Sequence, residues 1–555
     1  MYITRPKRTS SNGKTYETIL LRESYREEGK VKNRTIANFT HCNPADVATI
    51  ELALKHKDNL ANLLSTSSST ETITLREGLS VGAAWAIDQV AQRVGIKTAL
   101  GKDFQGQLAL YQIMARLIEQ GSRLSAVRLA KVHALPDVLG MTQGFSEDHL
   151  YENLHWLSER QEIIEQSLFA TRPKNRKTDL FLYDVTSSYL EGQHNELAAY
   201  GYNRDQKKGK KQIVVGLLCD EEGDPVSVQV FEGNTQDTQT FSDQIKKVAE
   251  RFHCPRVTFV GDRGMIKSLA IEELTAQGFH YITAITKPQI KTLMKRNVIQ
   301  LEFFDENLCE VEDDGVRYIL RRNPERVELL ARNRADKHKA IEALLAEKNA
   351  YLQDHPKADE TVARQKVEMK IARLKLSPWM RVTCTERNLK LEWDEAALAE
   401  ATRLDGCYVL RTDLSEEAAD RQTIHSRYKE LSEVEWAFRT SKTGHLELRP
   451  IHVRKEESTR GHVFIVMLAY LIRRELEKAW SGLDVTVEEG LKQLSTLCTM
   501  EIEIQGKGTC HQIPEPREQS QALLQALNIR MPHAIPRRSI RVVTKKKLPN
   551  QRNSR

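Results

Sequence analysis

The sequence predicts an α/β protein whose core is one sheet of mixed strand direction. Three short apolar runs split by polar, glycine-bearing turns are typical of antiparallel strands, and they lie at 179–190, 211–220 and 224–233. Helical and apolar runs then alternate at about 238–252, 256–260, 266–277 and 280–286. A helix between two strands is typical of a parallel crossover, so the order β-β-β-α-β-α-β predicts three antiparallel strands followed by parallel ones.

The first 64 residues predict a small module of β-hairpins. Apolar and polar residues alternate over Tyr16–Leu21 and again over Val31–Phe39, with a turn expected near Glu28–Gly29. This alternation is typical of short strands joined by tight turns. We therefore expect residues 1–64 to form a separate N-terminal β module.

The next region, 65–172, predicts helices. It opens with a run of linker composition, STSSSTET (65–72), after which apolar residues recur at helical spacing, most clearly from Leu110 to Ile118. Ser146 is the predicted N-cap of a later helix. Short helices joined by glycine turns suit DNA recognition by a helix-turn-helix, and they suit a plain helical bundle equally.

The segment 291–405 predicts an inserted α+β subdomain. A charged amphipathic helix is expected around Ile341–Leu352, with a partner at Thr361–Leu376. Short strands are expected at 380–385 and 388–393. These elements interrupt the alternation of strands and helices that precedes them.

The core pattern resumes after this segment. We expect a strand at Cys407–Arg411, a helix from Thr423 to Lys442, and a buried helix at 463–472 packing on the sheet. The predicted α/β core thus comprises two parts, 173–290 and 406–485, and is followed by an extension at 486–555.

Composition excludes several classes of protein. With 555 residues, 40% hydrophobic and 29% charged, the chain has enough apolar material for a core and is not a disordered polymer or a disulfide mini-protein. Its eight cysteines include no C-x-x-C pair, which favours a reducing cytoplasm over a disulfide framework or a zinc finger. The longest uncharged apolar run, Val463–Ile472, is ten residues and too short to span a bilayer, and no secretory signal is visible.

The positive charge is concentrated at the C-terminus. The net charge is +7, and eight basic residues without an acid lie between Arg537 and Arg555, which leaves the rest of the chain near neutrality. Such an arm is either a solvated tail or a contact for a polyanion such as the DNA backbone. Composition alone does not choose between these interpretations.

Three carboxylates stand where the predicted elements could bring them together. Asp184 and Asp262 lie at or just after apolar strands, the latter before a glycine-bearing turn, and Glu435 lies at the edge of the buried face of the 423–442 helix. Each acid alone could cap a turn or, for Glu435, pair with Arg439 at i+4. Together they would form an oxygen-only site for Mg²⁺ or Mn²⁺, with room for two ions that activate a nucleophile and stabilise a leaving oxygen.

Two further residues fall on the stripe of Glu435. Tyr428 precedes it by seven residues and Lys442 follows it by seven, so a continuous helix would place all three on one face. They are predicted to contribute a hydrogen bond and a positive charge to phosphates beside the metals. Glu433 would face the opposite side and be solvated.

The run YKELSEVEWAFRTSK (428–442) resembles the Y-x2-R-x3-E-x6-K signature of bacterial insertion-sequence DDE transposases of the IS-four superfamily, in its long-chain branch. Leu431 stands in place of the signature Arg. YDVTSSYLEG (183–192) and FVGDRGM (259–265) resemble the regions around the family's two aspartates. GNTQDTQTF (233–241) is similar to the segment between them and marks Asp237 as a secondary candidate.

The resemblance implies a ribonuclease-H-like core with a large insertion before the catalytic Glu, and 172 residues separate Asp262 from Glu435. It implies Asp184, Asp262 and Glu435 as the catalytic and metal-holding residues of a DNA transposase that cleaves element ends and transfers strands. The expected partner is double-stranded DNA, bound by a homodimer assembled on it, with no membrane. The expected location is the cytoplasm, in association with the nucleoid.

Further cations could contact DNA, and other chemistries lack their signatures. Arg439 and a basic turn between the first two core strands are candidates for phosphate contacts, the turn comprising Lys207, Lys208, Lys210 and Lys211. No P-loop, H-E-x-x-H or G-x-S-x-G motif occurs, which argues against ATP hydrolysis, zinc proteolysis and serine hydrolysis. Two alternatives remain: a catalytically silent, transposase-derived DNA-binding protein, and a ribonuclease-H-like nuclease without strand transfer.

Overall fold

The structure is a computed structural model that describes residues 1–9, 15–27, 30–55, 73–172, 179–205, 207–252, 254, 257–443, 446–504 and 508–544. The strands, in chain order, are β1 (Tyr2–Thr4), β2 (Lys7–Thr9), β3 (Thr15–Glu17), β4 (Leu20–Glu27), β5 (Lys30–Asn38), β6 (Ile73–Ser80), β7 (Phe145–Ser146), β8 (Leu180–Tyr189), β9 (Gln212–Cys219), β10 (Pro225–Phe231), β11 (Thr258–Gly261), β12 (His280–Ala284), β13 (Cys309–Asp313), β14 (Val316–Arg322), β15 (Met380–Thr385), β16 (Asn388–Trp393), β17 (Cys407–Thr412), β18 (Cys498–Ile504), β19 (Gly508–Gln512) and β20 (Val542–Val543).

The α-helices, in chain order, are α1 (Pro44–Lys55), α2 (Gly82–Arg93), α3 (Ile96–Leu100), α4 (Phe104–Ile118), α5 (Arg123–Leu129), α6 (Leu135–Val138), α7 (Glu147–Ala170), α8 (Asp237–Lys246), α9 (Ser268–Ala276), α10 (Lys287–Lys295), α11 (Pro324–Asp354), α12 (Glu360–Arg373), α13 (Glu395–Thr402), α14 (Arg421–Lys429), α15 (Leu431–Lys442), α16 (Glu456–Trp480), α17 (Val487–Ser495) and α18 (Glu518–Ala526). A π-helical turn at Lys247–Arg251 continues α8. Within the described residues, no helix is both long and apolar enough to cross a membrane.

The chain forms two compact units. The first comprises residues 1–78, 498–514 and 533–535, and the second comprises the remainder. In the first unit, β1, β4 and β5 form an antiparallel sheet, β2 pairs with β3, and β19, β18 and β6 form another sheet in that order. Strands do form in this region, but the strand expected at Tyr16–Leu21 is divided between β3 and β4, and the helix α1 follows β5. A separate β module at 1–64 stays a prediction. The predicted turn at Glu28–Gly29 and the predicted linker at 65–72 lie outside the described residues.

The second unit is built on an eight-stranded sheet in the order β10-β9-β8-β11-β12-β17-β14-β13. β10, β9 and β8 are antiparallel, whereas β8, β11 and β12 are parallel neighbours. This confirms the mixed sheet predicted from the order of strands and helices. β9, the second strand from one edge of the sheet, is buried along its whole length.

Helices cover the sheet as their apolar stripes require. α16 is the buried helix expected at 463–472, and it packs on α7, α4 and β10. α7 begins at Ser146, which forms a capping box with His149, so the predicted N-cap is confirmed. On the opposite side, α8 and α9 pack with the sheet through a second core that includes Phe241, Phe259 and Leu274.

The segment between β12 and β17 contains more of the sheet than the sequence indicates. β13 and β14 join the main sheet, and β14 pairs with β17. α11, α12 and the β15–β16 hairpin pack around a smaller core of their own that includes Ile341, Val367 and Leu389. The boundaries predicted for an inserted subdomain and for the other domains stay predictions.

The helix predicted from Thr423 to Lys442 is wrong in one respect, because the structure has two helices there. α14 ends at Lys429 and α15 begins at Leu431. At the junction the Glu433 N–H donates to the Glu430 carbonyl at 2.9 Å, which is a tight i+3 turn in place of the i+4 ladder. Tyr428 and Glu435 therefore do not share one continuous helical stripe.

Candidate active site

Strand register places the two aspartates side by side. β8 and β11 run parallel, and their last paired residues are Tyr183 and Gly261. The next residue of each strand is an aspartate, Asp184 in the middle of β8 and Asp262 just past the end of β11. Because neighbouring parallel strands lie ~4.8 Å apart, this register brings the two carboxylates to one edge of the sheet.

The third acid comes from α15, which packs across β8. Val434, Ala437 and Phe438 form the buried face of this helix. Glu435 lies at the edge of that face and is exposed. The apolar spacing thus fixes the helix on the sheet and leaves the Glu435 carboxylate beside it.

All three acids line one cavity of about 480 Å³. Tyr428, Leu431 and Lys429 also line it. None of the three carboxylates has a Lys or Arg partner within ion-pair distance among the residues that the structure describes. A cavity lined by three uncompensated acids from separate elements is therefore a candidate site for cations.

The charges in this cavity affect one another. The pKa of Asp184 is raised to about 7, chiefly by burial and in smaller part by the negative charges of Asp262 and Glu435. A backbone hydrogen bond from Val185 and the nearby Arg204 guanidinium oppose this rise. Asp184 is the least exposed of the three acids. Its carboxylate is thus the one that gains most from a bound cation.

Tyr428 contacts the acids despite the helix break. Its hydroxyl donates to Asp262 Oδ1 at 3.4 Å. Burial first, and then the charge of Asp262, raises the pKa of Tyr428 well above its usual range, so this side chain stays a neutral donor. The structure thus places the Tyr428 hydroxyl beside the Asp262 carboxylate, and a role for Tyr428 at the site stays a prediction.

Lys442 is not placed as the sequence predicts. Its Nζ contacts Asp205 Oδ1 at 2.9 Å, and only 8% of the residue is exposed. Arg449 binds the same Asp205 oxygen. In this structure Lys442 anchors the segment around Asp205 and does not reach the acid cavity, because its charge is satisfied inside the protein.

The neighbouring residues on α15 also differ from expectation. Arg439 lies over the Trp436 ring, 5.5 Å from its centroid, and does not pair with Glu435 among the described residues. Glu433 is not simply solvated, since its carboxylate binds Arg474 at 3.2 Å. Arg474 also binds Asp224 at 2.6 Å, and this second contact fixes the guanidinium that holds the Glu433 carboxylate against the protein.

Asp237 lies at a second cavity, and the basic turn lies on the surface. Asp237 binds Arg204 through both carboxylate oxygens at 2.7 Å and lines an adjoining cavity of about 440 Å³. In the turn, Lys210 pairs with Glu191 at 3.1 Å. Lys207 and Lys211 lie over tyrosine rings, and Lys208 is exposed.

Comparison with family models identifies the chain. The transposase DDE domain matches residues 175–472, which is more than half of the sequence and includes all three acids. The chain belongs to the DDE transposase family. A second model, the N-terminal domain of the IS1634 transposase family, matches residues 3–67.

No curated protein matches this DDE-family chain. Among solved structures, a piggyBac transposase synaptic complex with hairpin DNA is 7% identical, covering 83% of this chain and 82% of that one with a TM-score of 0.36. The Mos1 transposase paired-end complex with the left transposon end is 11% identical, covering 33% and 58% with a TM-score of 0.14.

The acids of this transposase-family site suit hard cations in their chemistry. All donors are carboxylate oxygens, which Mg²⁺ and Mn²⁺ prefer, and the mutual repulsion at Asp184 would be relieved by a cation. Among the described residues, no three His, Cys, Asp or Glu side chains are already close enough to hold one ion. The fit therefore rests on the donor type and on the uncompensated charge.

A basic cavity that the sequence did not reveal adjoins the acids. It has a volume of about 420 Å³ and is lined by Arg263, Lys287 and Arg326. Arg263, Asn323 and Tyr408 line both cavities. The arginines come from the end of β11 and the start of α11, about sixty residues apart, so no local motif links them.

The positive field extends to His425 on the wall of the acid cavity. Burial, reinforced by Lys429 and Arg321, lowers the pKa of His425 to about 4, so the imidazole is neutral. The site thus has an acidic floor beside a cationic wall. Leu431, which replaces the signature Arg, lies on that same cavity wall.

Proposed function

We propose that the chain is a metal-dependent DNA transposase that cleaves the ends of its element and transfers the strands to target DNA. Asp184, Asp262 and Glu435 are the proposed catalytic and metal-holding residues. The observation that carries this proposal is that these acids line one cavity inside the matched DDE domain, with no ion pair to a Lys or Arg of the described residues. The order of β10, β9, β8, β11 and β12 supports a ribonuclease-H-like core.

The three carboxylates would hold Mg²⁺ or Mn²⁺, with two ions as the proposed number. When bound, these ions would lower the pKa of an attacking water or 3′-hydroxyl and stabilise the departing oxygen. Tyr428 orients Asp262 by donating a hydrogen bond to its Oδ1. The Asp262 Oδ2 atom accepts no hydrogen bond from the described residues and could bind a metal ion. Arg263 and Lys429, on the wall of the cavity, are placed to neutralise a phosphate beside the acids.

Membership of the IS-four signature group is also part of this proposal. Tyr428 and Glu435, which line the cavity, support it. Leu431 and the ion-paired Lys442 depart from the pattern, and we infer that Arg263 and the adjoining cations perform the phosphate contacts. The proposed partner is double-stranded DNA, bound by a dimer of this chain.

The intact, uncompensated acids favour an enzyme over a silent DNA-binding descendant. The test is cleavage in Mg²⁺ of a plasmid that carries the gene with its flanking DNA, followed by detection of joined products in a second plasmid. Glu435→Gln should lower cleavage at least ~100-fold, as expected when a metal-binding charge of the catalytic step is removed. Its matched control is Glu433→Gln, two residues away, which should cut at nearly the wild-type rate.

Each outcome has a distinct meaning. Cleavage without joined products would identify a nuclease that lacks strand transfer. Normal cutting by Glu435→Gln would refute the site, and absence of cutting by the wild type with intact DNA binding would favour the silent descendant. Thermal unfolding of both variants controls for folding.

A further inference from the structure

The first unit carries a two-stranded ribbon that extends beyond its sheet. β4 and β5 pair from Leu20–Asn38 to Glu27–Lys30. The third strand, β1, pairs with β4 only as far as Arg22. Beyond that point the ribbon has no third strand in the described structure, and Val31 near its end is 63% exposed.

The two faces of the ribbon differ in chemistry. Side chains alternate across a strand, so Arg22, Ser24 and Arg26 share one face with the residues they pair with, which are Thr35, Asn33 and Val31 respectively. None of these six residues of the first face is an acid. On it, Ser24 Oγ donates to Asn33 Oδ1 at 2.6 Å, which confirms that the two side chains lie together.

The opposite face is internally neutralised. Arg34 binds Glu23 at 2.6 Å and lies over the Tyr25 ring, 5.6 Å from its centroid. By contrast, Arg22 and Arg26 have no acidic partner among the described residues. The two faces thus differ in free positive charge, although they belong to the same hairpin.

The first face matches the chemistry of base edges. The major groove of B-DNA admits a two-stranded ribbon, where Arg pairs with guanine, Asn pairs with adenine, and an apolar side chain contacts the thymine methyl group. Arg26, Asn33 and Val31 supply these three types within one patch. An isolated hairpin exposed on both faces also gains stability from a partner that covers one of them.

We propose that the first face of the β4–β5 ribbon reads base sequence in the major groove of double-stranded DNA. This inference rests on the proposed function, because that function makes DNA the substrate. It assigns direct base contacts to Arg22, Arg26 and Asn33, and it assigns no base contact to Arg34.

In the test, short DNA duplexes that bind the full-length chain are selected from a pool of random sequences, and the enriched motif is determined. The variants are Arg26→Ala with Asn33→Ala, the charge-retaining Arg26→Lys, and Arg34→Ala as the control that removes one positive charge from the opposite face. Wild type and Arg34→Ala should enrich the same motif. The double variant should bind that duplex at least about 10-fold more weakly, because alanine cannot form bidentate hydrogen bonds with base edges, while its affinity for the unselected pool should change much less.

The Arg26→Lys variant separates reading from attraction. It keeps the charge and removes the planar fork, so pool binding should persist while the preference at one position weakens. The inference is overturned if the double variant enriches the wild-type motif with unchanged affinity, or if the wild type enriches no motif. Because the substituted residues are exposed, each variant should fold normally, and circular dichroism checks this.

Failure of this inference is distinguishable from failure of the proposed function. Cleavage that depends on Glu435 without any ribbon-dependent motif would refute the ribbon and keep the enzyme. A ribbon-dependent motif without Mg²⁺-dependent cleavage would keep the ribbon and refute the enzyme.

Discussion

Replacement of Asp184 by Asn should stabilise the metal-free protein at alkaline pH. The pKa of this carboxyl is raised from 3.8 to about 7 in the folded protein, chiefly by burial. The folded state therefore holds the proton more tightly than the unfolded chain does. Its contribution to stability is fully present below the unfolded pKa of 3.8 and is lost as the pH rises through about 7.

The size of the effect follows from the two pKa values. At about 1.4 kcal/mol for each tenfold difference in proton affinity, the penalty above pH 7 is at most about 4 kcal/mol. Asp184 is partly exposed and lines the cavity, so solvent screening reduces this penalty. We therefore expect Asp184→Asn to stabilise the second unit by roughly 1–2 kcal/mol at about pH 8.

The assay is thermal unfolding of the full chain in a chelator, at about pH 8 and about pH 4. The variant should melt a few degrees above the wild type at the higher pH and lose that advantage at the lower pH, where the wild-type carboxyl is protonated. Mg²⁺ should raise the melting temperature of the wild type and not that of the variant. Asp237→Asn is the control, since Asp237 is paired with Arg204 and its replacement should destabilise the protein.

The reasoning would be refuted by a variant that is no more stable than the wild type at either pH. A gain of equal size at both pH values would also refute it, because the gain would then arise from packing and not from charge.

Three other changes test the surroundings of the acids. Lys442→Met should destabilise the protein by roughly 1–3 kcal/mol in urea unfolding, because it leaves the buried Asp205 with Arg449 as its remaining partner, and an unchanged stability combined with weaker DNA binding would restore Lys442 as a phosphate contact. Arg326→Ala should weaken DNA binding equally for all sequences and lower the salt slope by about 0.9, whereas an effect on folding alone would contradict a role for the basic cavity. Deletion of 545–555 should weaken binding and flatten the salt dependence by at most about 0.9 for each phosphate that the arm no longer neutralises, while an unchanged slope would make this part of the basic arm a bystander.

The deletion begins at 545 because the preceding part of the arm is held in place. The Arg538 N–H donates to Asp137 Oδ1 at 2.7 Å. Val542 and Val543 pair in parallel with Phe145 and Ser146. The sequence suggested a uniform tail from Arg537 onward, since its charges give no sign that two valines complete a small sheet beside the start of α7.

Most of the sheet was predictable because its signals are local. The apolar runs and intervening turns of β8, β9 and β10 predict antiparallel pairing, and a helix between strands predicts the parallel crossovers to β11 and β12. β13 and β14 were missed because their sequence is partly polar. β14 is held by pairing with β17, about ninety residues later, and β13 by pairing with β14, and neither has a continuous apolar run.

The acids could be predicted for the same reason, whereas their neighbours could not. The apolar runs of β8 and β11 encode the parallel pairing that places Asp184, in the middle of its strand, beside Asp262, which follows the end of β11. The apolar stripe of α15 encodes the placement of Glu435. Lys442 has its partner 237 residues away, and that ion pair left no local pattern. Helical spacing alone predicts Tyr428 and Lys442 on one stripe. The turn at Glu430 interrupts that stripe, and Lys442 forms an ion pair with the distant Asp205. Spacing within an element therefore predicts the face on which a side chain lies. Charged residues from distant parts of the chain decide whether that side chain is free to bind a substrate.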